Sequence, residues 1–104
     1  MTRRPQDAVV EGTLGDVGAH LRTWRQLQGL TQGQVADRAG INRGVVVRLE
    51  RGEGGVSLEL FVRVLRALQL TDTLPRSLDP LNSDLGRARA AQVMPQRVRP
   101  ARAR

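Results

Sequence analysis

Apolar side chains recur at three- and four-residue intervals through most of the chain, and no stretch alternates convincingly, so the pattern predicts helices and no strands. Leu14, Val17, Leu21, Trp24 and Leu27 or Gln28 make one stripe along a first helix from about Leu14 to Gln28. Thr13 followed by Asp16 resembles a capping box at its start, and Gly29 suits its left-handed end. Thr31 and Gln34 form a capping box opening a second helix, with Val35, Ala36 and Ala39 inward, Gly40 as its stop and Ile41 plugging the turn. Asn42 caps a third helix that ends at Gly52 and turns Val46 and Leu49 inward, before a flexible Glu53-Gly54-Gly55 loop. Ser57 caps a fourth, whose buried stripe is Leu58, Phe61, Val62, Leu65 and Leu68. A short fifth segment spans Thr71 to Leu78, with Thr73 as cap and Pro75 in the first turn. Asp79-Pro80 then opens a weak last helix carrying Leu81, Leu85 and Ala88.

The class is therefore all-α: a five-helix domain with a basic C-terminal tail. Residues 1–12 read as a flexible arm, 13–78 as the folded domain, and 79–104 as a weak helix with a largely disordered tail. With one Trp and one Phe the core is small, and a dimer burying part of the fourth or fifth helix would add to it.

Charge sharpens this division. All seventeen basic residues are Arg. From Pro5 to Leu85 nine Arg meet all ten acids, whereas Arg87, Arg89, Arg97, Arg99, Arg102 and Arg104 follow in a segment with no acid. The folded part is nearly neutral and the positive charge sits at the ends, where it attracts phosphate. The chain has no cysteine, no apolar run long enough to span a membrane and no secretory leader, so a cytoplasmic protein without membrane attachment is expected.

Two short helices joined by a tight turn are the arrangement that lays one helix in the DNA major groove. The third helix offers Arg43, Gly44, Val47, Arg48 and Arg51 away from its inward stripe, with Glu50 as its only acid. A guanidinium can bond guanine O6 and N7 together, and an apolar side chain can touch the thymine methyl. Arg43 and Val47 are thus the natural base readers, with Gly44 letting the backbone approach. Gln32, at the second helix's N-terminus, and Arg51 with Arg48 are placed for phosphates.

Leu30-Thr31-Gln32, Val35-Ala36, Ala39-Gly40-Ile41 and Val46-x-x-Leu49-Glu50-x-Gly52 resemble the lambda-repressor/Cro-like (XRE) helix-turn-helix family over about Leu14–Leu70. The resemblance implies a sequence-specific transcriptional regulator, a repressor, that binds a pseudo-palindromic operator in double-stranded DNA as a homodimer. It maps base reading onto Arg43, Gly44, Val47 and Arg48, phosphate binding onto Gln32, and a structural ion pair onto Arg25 and Glu50. Val45 and Val47 depart from the family, where small hydroxyl residues are frequent, and leave the operator sequence open. The extension beyond Leu70 and the basic end are similar to HipB-like antitoxins. That implies an alternative in which the chain neutralises a co-encoded toxin, a HipA-like kinase, and represses its own operon.

Other chemistry finds no support. His20 has no second His or any Cys to share a metal, Trp24 reads as a core anchor, and the glycines at 52, 54 and 55 follow a helix without a phosphate-loop Lys. No nucleophile–base pair or cofactor motif is present, so no enzyme activity, cofactor or metal is expected.

Overall fold

Pro5 opens the first helix, α1 (Pro5–Leu27), in the computed structural model, which describes residues 5–93. Proline suits the first position of a helix because that residue's N–H has no partner to lose. Asp7 follows in the first turn, where the dipole favours an acid. The helix therefore starts well before Leu14, and the expected cap at Thr13 is corrected. The Thr13 hydroxyl instead donates to the Val9 carbonyl at 2.9 Å, a bond made from within a continuing helix. Val9 and Val10 are exposed on this leading segment.

The next three helices carry the caps their sequences suggest. At α2 (Gln32–Ala39) the Thr31 hydroxyl accepts from Gln34 N while Gln34 Oε1 accepts from Thr31 N, completing the capping box. Gly40, at φ 69°, takes the left-handed conformation that closes α2. Asn42 Oδ1 accepts from Gly44 N at 2.7 Å and opens α3 (Arg43–Glu50). Ser57 Oγ does the same for Leu60 N at α4 (Leu58–Ala67).

α1 packs on α3, α2 packs on both α3 and α4, and α3 touches α4. Leu21, Leu30, Val35, Ala36, Ala39, Val46, Val64, Leu65, Ala67 and Leu68 are buried between them. The α1–α3 crossing is close. A Cβ on Gly18 would overlap the Leu49 carbonyl and come within 2.6 Å of the Glu50 carbonyl oxygen. One on Gly52 would stand 2.7 Å from Gly15 Cα. Glycines at these positions let the C-terminal end of α3 lie directly on α1.

Two expected core assignments change. Trp24 is 45% exposed, because Leu21 and Leu30 take the buried positions and Gln28, not Leu27, turns inward to donate to the Leu68 carbonyl at 2.8 Å. On α4 the buried seam is Val64, Leu65 and Ala67, leaving Leu58 and Val62 on the outer side. Apolar residues cover a wider arc of that helix than its two neighbours can bury.

Residues 72–93 form a separate unit: α5 (Thr73–Leu78), a 3₁₀ turn over Pro80–Asn82, and α6 (Asp84–Val93). Thr73 is the first residue of α5 rather than its cap; Asp72 precedes it and makes no side-chain cap. Asp79 Oδ1 does cap the turn, accepting from Leu81 N at 2.9 Å, so Leu81 belongs to the turn and not to α6. α6 rests on the turn, with Gly86 against the Pro80 carbonyl where a Cβ would collide. Leu78, Leu81 and Leu85 are exposed, and none of these three elements has a buried residue. The tail arginines from Arg97 onward, and Arg3 and Arg4, lie outside the described residues.

Candidate nucleic-acid interface

The turn between α2 and α3 sets what α3 can show. Gly40 in the left-handed region and Asn42 in extended backbone reverse the chain within three residues. Val46, 1% exposed, then anchors α3 from below. Clear of that buried position, Arg43 and Gly44 are exposed and Val47 is half-buried. Arg43, Val47 and Arg51 succeed one another at four-residue spacing, one turn apart, along the same side of the helix.

A network fixes the base of this surface. Arg25 donates from Nε to Glu50 Oε2 at 2.6 Å, from Nη2 to Glu50 Oε1 at 3.0 Å, and from Nη1 to the Leu30 carbonyl at 2.9 Å. The two side chains are only 13% and 6% exposed, so this is an enclosed, two-pronged ion pair. The bond to Glu50 raises the Arg25 guanidinium above its ordinary pKa, against the opposing effect of burial. It ties α1 to the last turn of α3, at the crossing that Gly18 and Gly52 permit.

Glu50 also reaches the expected phosphate binder. Gln32 Nε2 donates to Glu50 Oε1 at 3.0 Å, and Gln32 Oε1 accepts from Arg43 Nη2 at 3.3 Å. Arg25, Glu50, Gln32 and Arg43 therefore form one chain of hydrogen bonds from α1 to the first residue of α3. One N–H of the Gln32 amide is left to point elsewhere.

These groups line an open cleft of about 400 Å³, formed by Arg22, Arg25, Gln32, Arg43, Val47, Glu50 and Arg51. Arg48 does not line it. Its Nε stands 3.8 Å from a Glu53 carboxylate oxygen, and Arg51 Nη1 stands 3.9 Å from the other. Both contacts are long and solvent-exposed, and they constrain the arginines weakly. Arg22 is the one lining residue that neither the α3 pattern nor the family resemblance points to. Its signal in the sequence is its position three residues before Arg25, on the same side of α1.

Among the described residues no three His, Cys, Asp or Glu side chains gather to hold a metal ion, and His20 is exposed on α1. No described helix is long and apolar enough to cross a membrane.

Comparison with known proteins agrees with this geometry. A family model described as a helix-turn-helix domain matches residues 16–78. The chain is also similar to an uncharacterized HTH-type transcriptional regulator of Methanothermobacter thermautotrophicus, at 42% identity over 48 residues. That alignment covers 46% of this chain and 70% of the relative.

Proposed function

Because the chain belongs to the helix-turn-helix domain family, we propose that it is a sequence-specific transcriptional regulator that lays α3 in the major groove of double-stranded DNA. One observation carries the reading: the side of α3 bearing Arg43, Val47 and Arg51 lines an open cleft while Val46 is held in the core. Arg43 and Arg48 then read guanine edges, Val47 touches a thymine methyl, and Gly44 admits the backbone. Gln32 and Arg51 bind flanking phosphates.

In its full form the protein is a cytoplasmic repressor of the lambda-repressor/Cro-like type. It binds a pseudo-palindromic site as a homodimer, its two reading helices about 34 Å apart. Arg43→Ala tests it: sites selected from a randomised duplex library should lose preference at one base pair, at a cost of roughly 1–3 kcal/mol. An equal loss on every duplex would move Arg43 to the phosphates and refute base reading by this residue.

A second reading, compatible with the first, is the antitoxin role. The exposed Leu78, Leu81 and Leu85 favour a protein partner for residues 72–93. Co-expression with the product of the adjacent gene should give a stable complex that Leu81→Asp and Leu85→Asp weaken; no complex would count against it.

A further inference from the structure

The cleft between α1 and α3 has a charge balance that the base-reading helix alone does not explain. Glu50 is its only acid, and that carboxylate is already occupied by two bonds from Arg25 and one from Gln32. The pair contributes no net charge to the opening. What remains is Arg22, Arg43 and Arg51 around one concavity. Among the described residues, only Arg51 of these three has an acid within ion-pair reach, at 3.9 Å. Three arginines lining one open cleft without an enclosed counter-charge make a seat for an anion. The cleft's 400 Å³ is ample for a phosphate group. Its wall formed by Arg22 belongs to α1, outside the two helices of the motif.

Resting on the DNA-binding reading above, we propose that this cleft seats a phosphodiester of the DNA backbone and that Arg22 is one of its direct contacts. α1 is then a second docking element: it supports α3 through Arg25 and Glu50, and it holds the adjacent strand through Arg22. A contact of this kind carries no base information, so it strengthens binding on any sequence.

Salt dependence is the decisive readout, because each neutralised phosphate contributes a slope of about −0.9 in log K against log salt. Full-length wild type, Arg22→Ala and Arg22→Lys are titrated by anisotropy against a random-sequence duplex across a salt series. Arg22→Ala should make the slope shallower by about 0.9 per subunit contact and leave the selected base preferences unchanged. Arg22→Lys should restore the slope. The residue is exposed, so melting should not change. An Arg22→Ala slope equal to wild type overturns the proposal; a wild type with no salt-dependent duplex binding overturns the DNA reading itself. Inorganic phosphate at constant ionic strength separates a free anion from a backbone phosphate. Displacement of DNA that Arg22→Ala abolishes would assign the cleft to free phosphate instead, and no displacement supports the duplex.

Discussion

Gln32 Oε1 receives the Arg43 guanidinium at 3.3 Å, so the first residue of α3 is held by the first residue of α2. The amide cannot flip without losing both this bond and its donation to Glu50. Gln32→Met keeps the length of the side chain and removes both bonds. The expected result is a loss of about 1 kcal/mol in discrimination between a selected and a scrambled duplex, with little change in melting temperature. In an Arg43→Ala background the same substitution should cost no further discrimination. A uniform loss on both duplexes in the wild-type background would leave Gln32 with only a phosphate contact.

Glu50 is expected to govern stability. Removing it by Glu50→Ala leaves the enclosed Arg25 without its carboxylate, at a cost of about 2–4 kcal/mol in chemical denaturation, below a fully buried pair because Arg25 keeps a solvent edge. The pH dependence has a definite sign on the arginine side. Arg25 has its pKa raised in the folded protein, so its contribution is complete below its unfolded pKa and is lost as pH rises through the folded one. Arginine remains charged throughout the ordinary pH range. The stability gap between wild type and Glu50→Ala should therefore be the same at about pH 7 and about pH 10.

Two glycines of α1 should respond in opposite directions to the same substitution. Gly12 has nothing within 4 Å of where an alanine methyl would sit, so Gly12→Ala should stabilise by about 0.5–1 kcal/mol through helix propensity. Gly18→Ala drives a methyl into the Leu49 and Glu50 carbonyls, backbone atoms that cannot rotate away. It should destabilise by about 1–3 kcal/mol despite the same propensity gain. Urea denaturation of the two variants side by side checks both signs.

Ser57→Ala removes the hydroxyl that accepts from Leu60 N and should cost about 1 kcal/mol by thermal denaturation. Because α4 supplies Val64 and Leu65 to the core, the loss should appear as lower global stability rather than fraying of one helix.

Local chemistry was well written in the sequence. Thr31 with Gln34, Gly40, Asn42 and Ser57 each cap or close the element expected of them, because those bonds involve neighbours in the chain. What the pattern could not settle depends on partners far along the chain. The apolar arc of α4 is broader than the space offered to it, so the spacing alone could not tell that Leu58 and Val62 stay outside. Trp24 fits a helical stripe as well as Gln28 does, and only the Leu68 carbonyl decides which turns inward. Thr13 shows the converse: a capping residue type is no cap when the helix already runs through it from Pro5. At the cleft, the α3 face was legible from its arginines, whereas Arg22 joins it only through the way α1 crosses α3.

Glu53 gives this surface a further property. Its carboxylate stands near both Arg48 and Arg51 in the free protein, offering them the same kind of partner that nucleic acid would offer. If α3 reads DNA as proposed, this loosely held acid would act as a resident decoy: a chance polyanion would displace it for little return, whereas a matched site would add base contacts to the exchange. On the proposed function, selectivity in this small domain would draw on an acid beside the α3 surface as well as on the arginines within it.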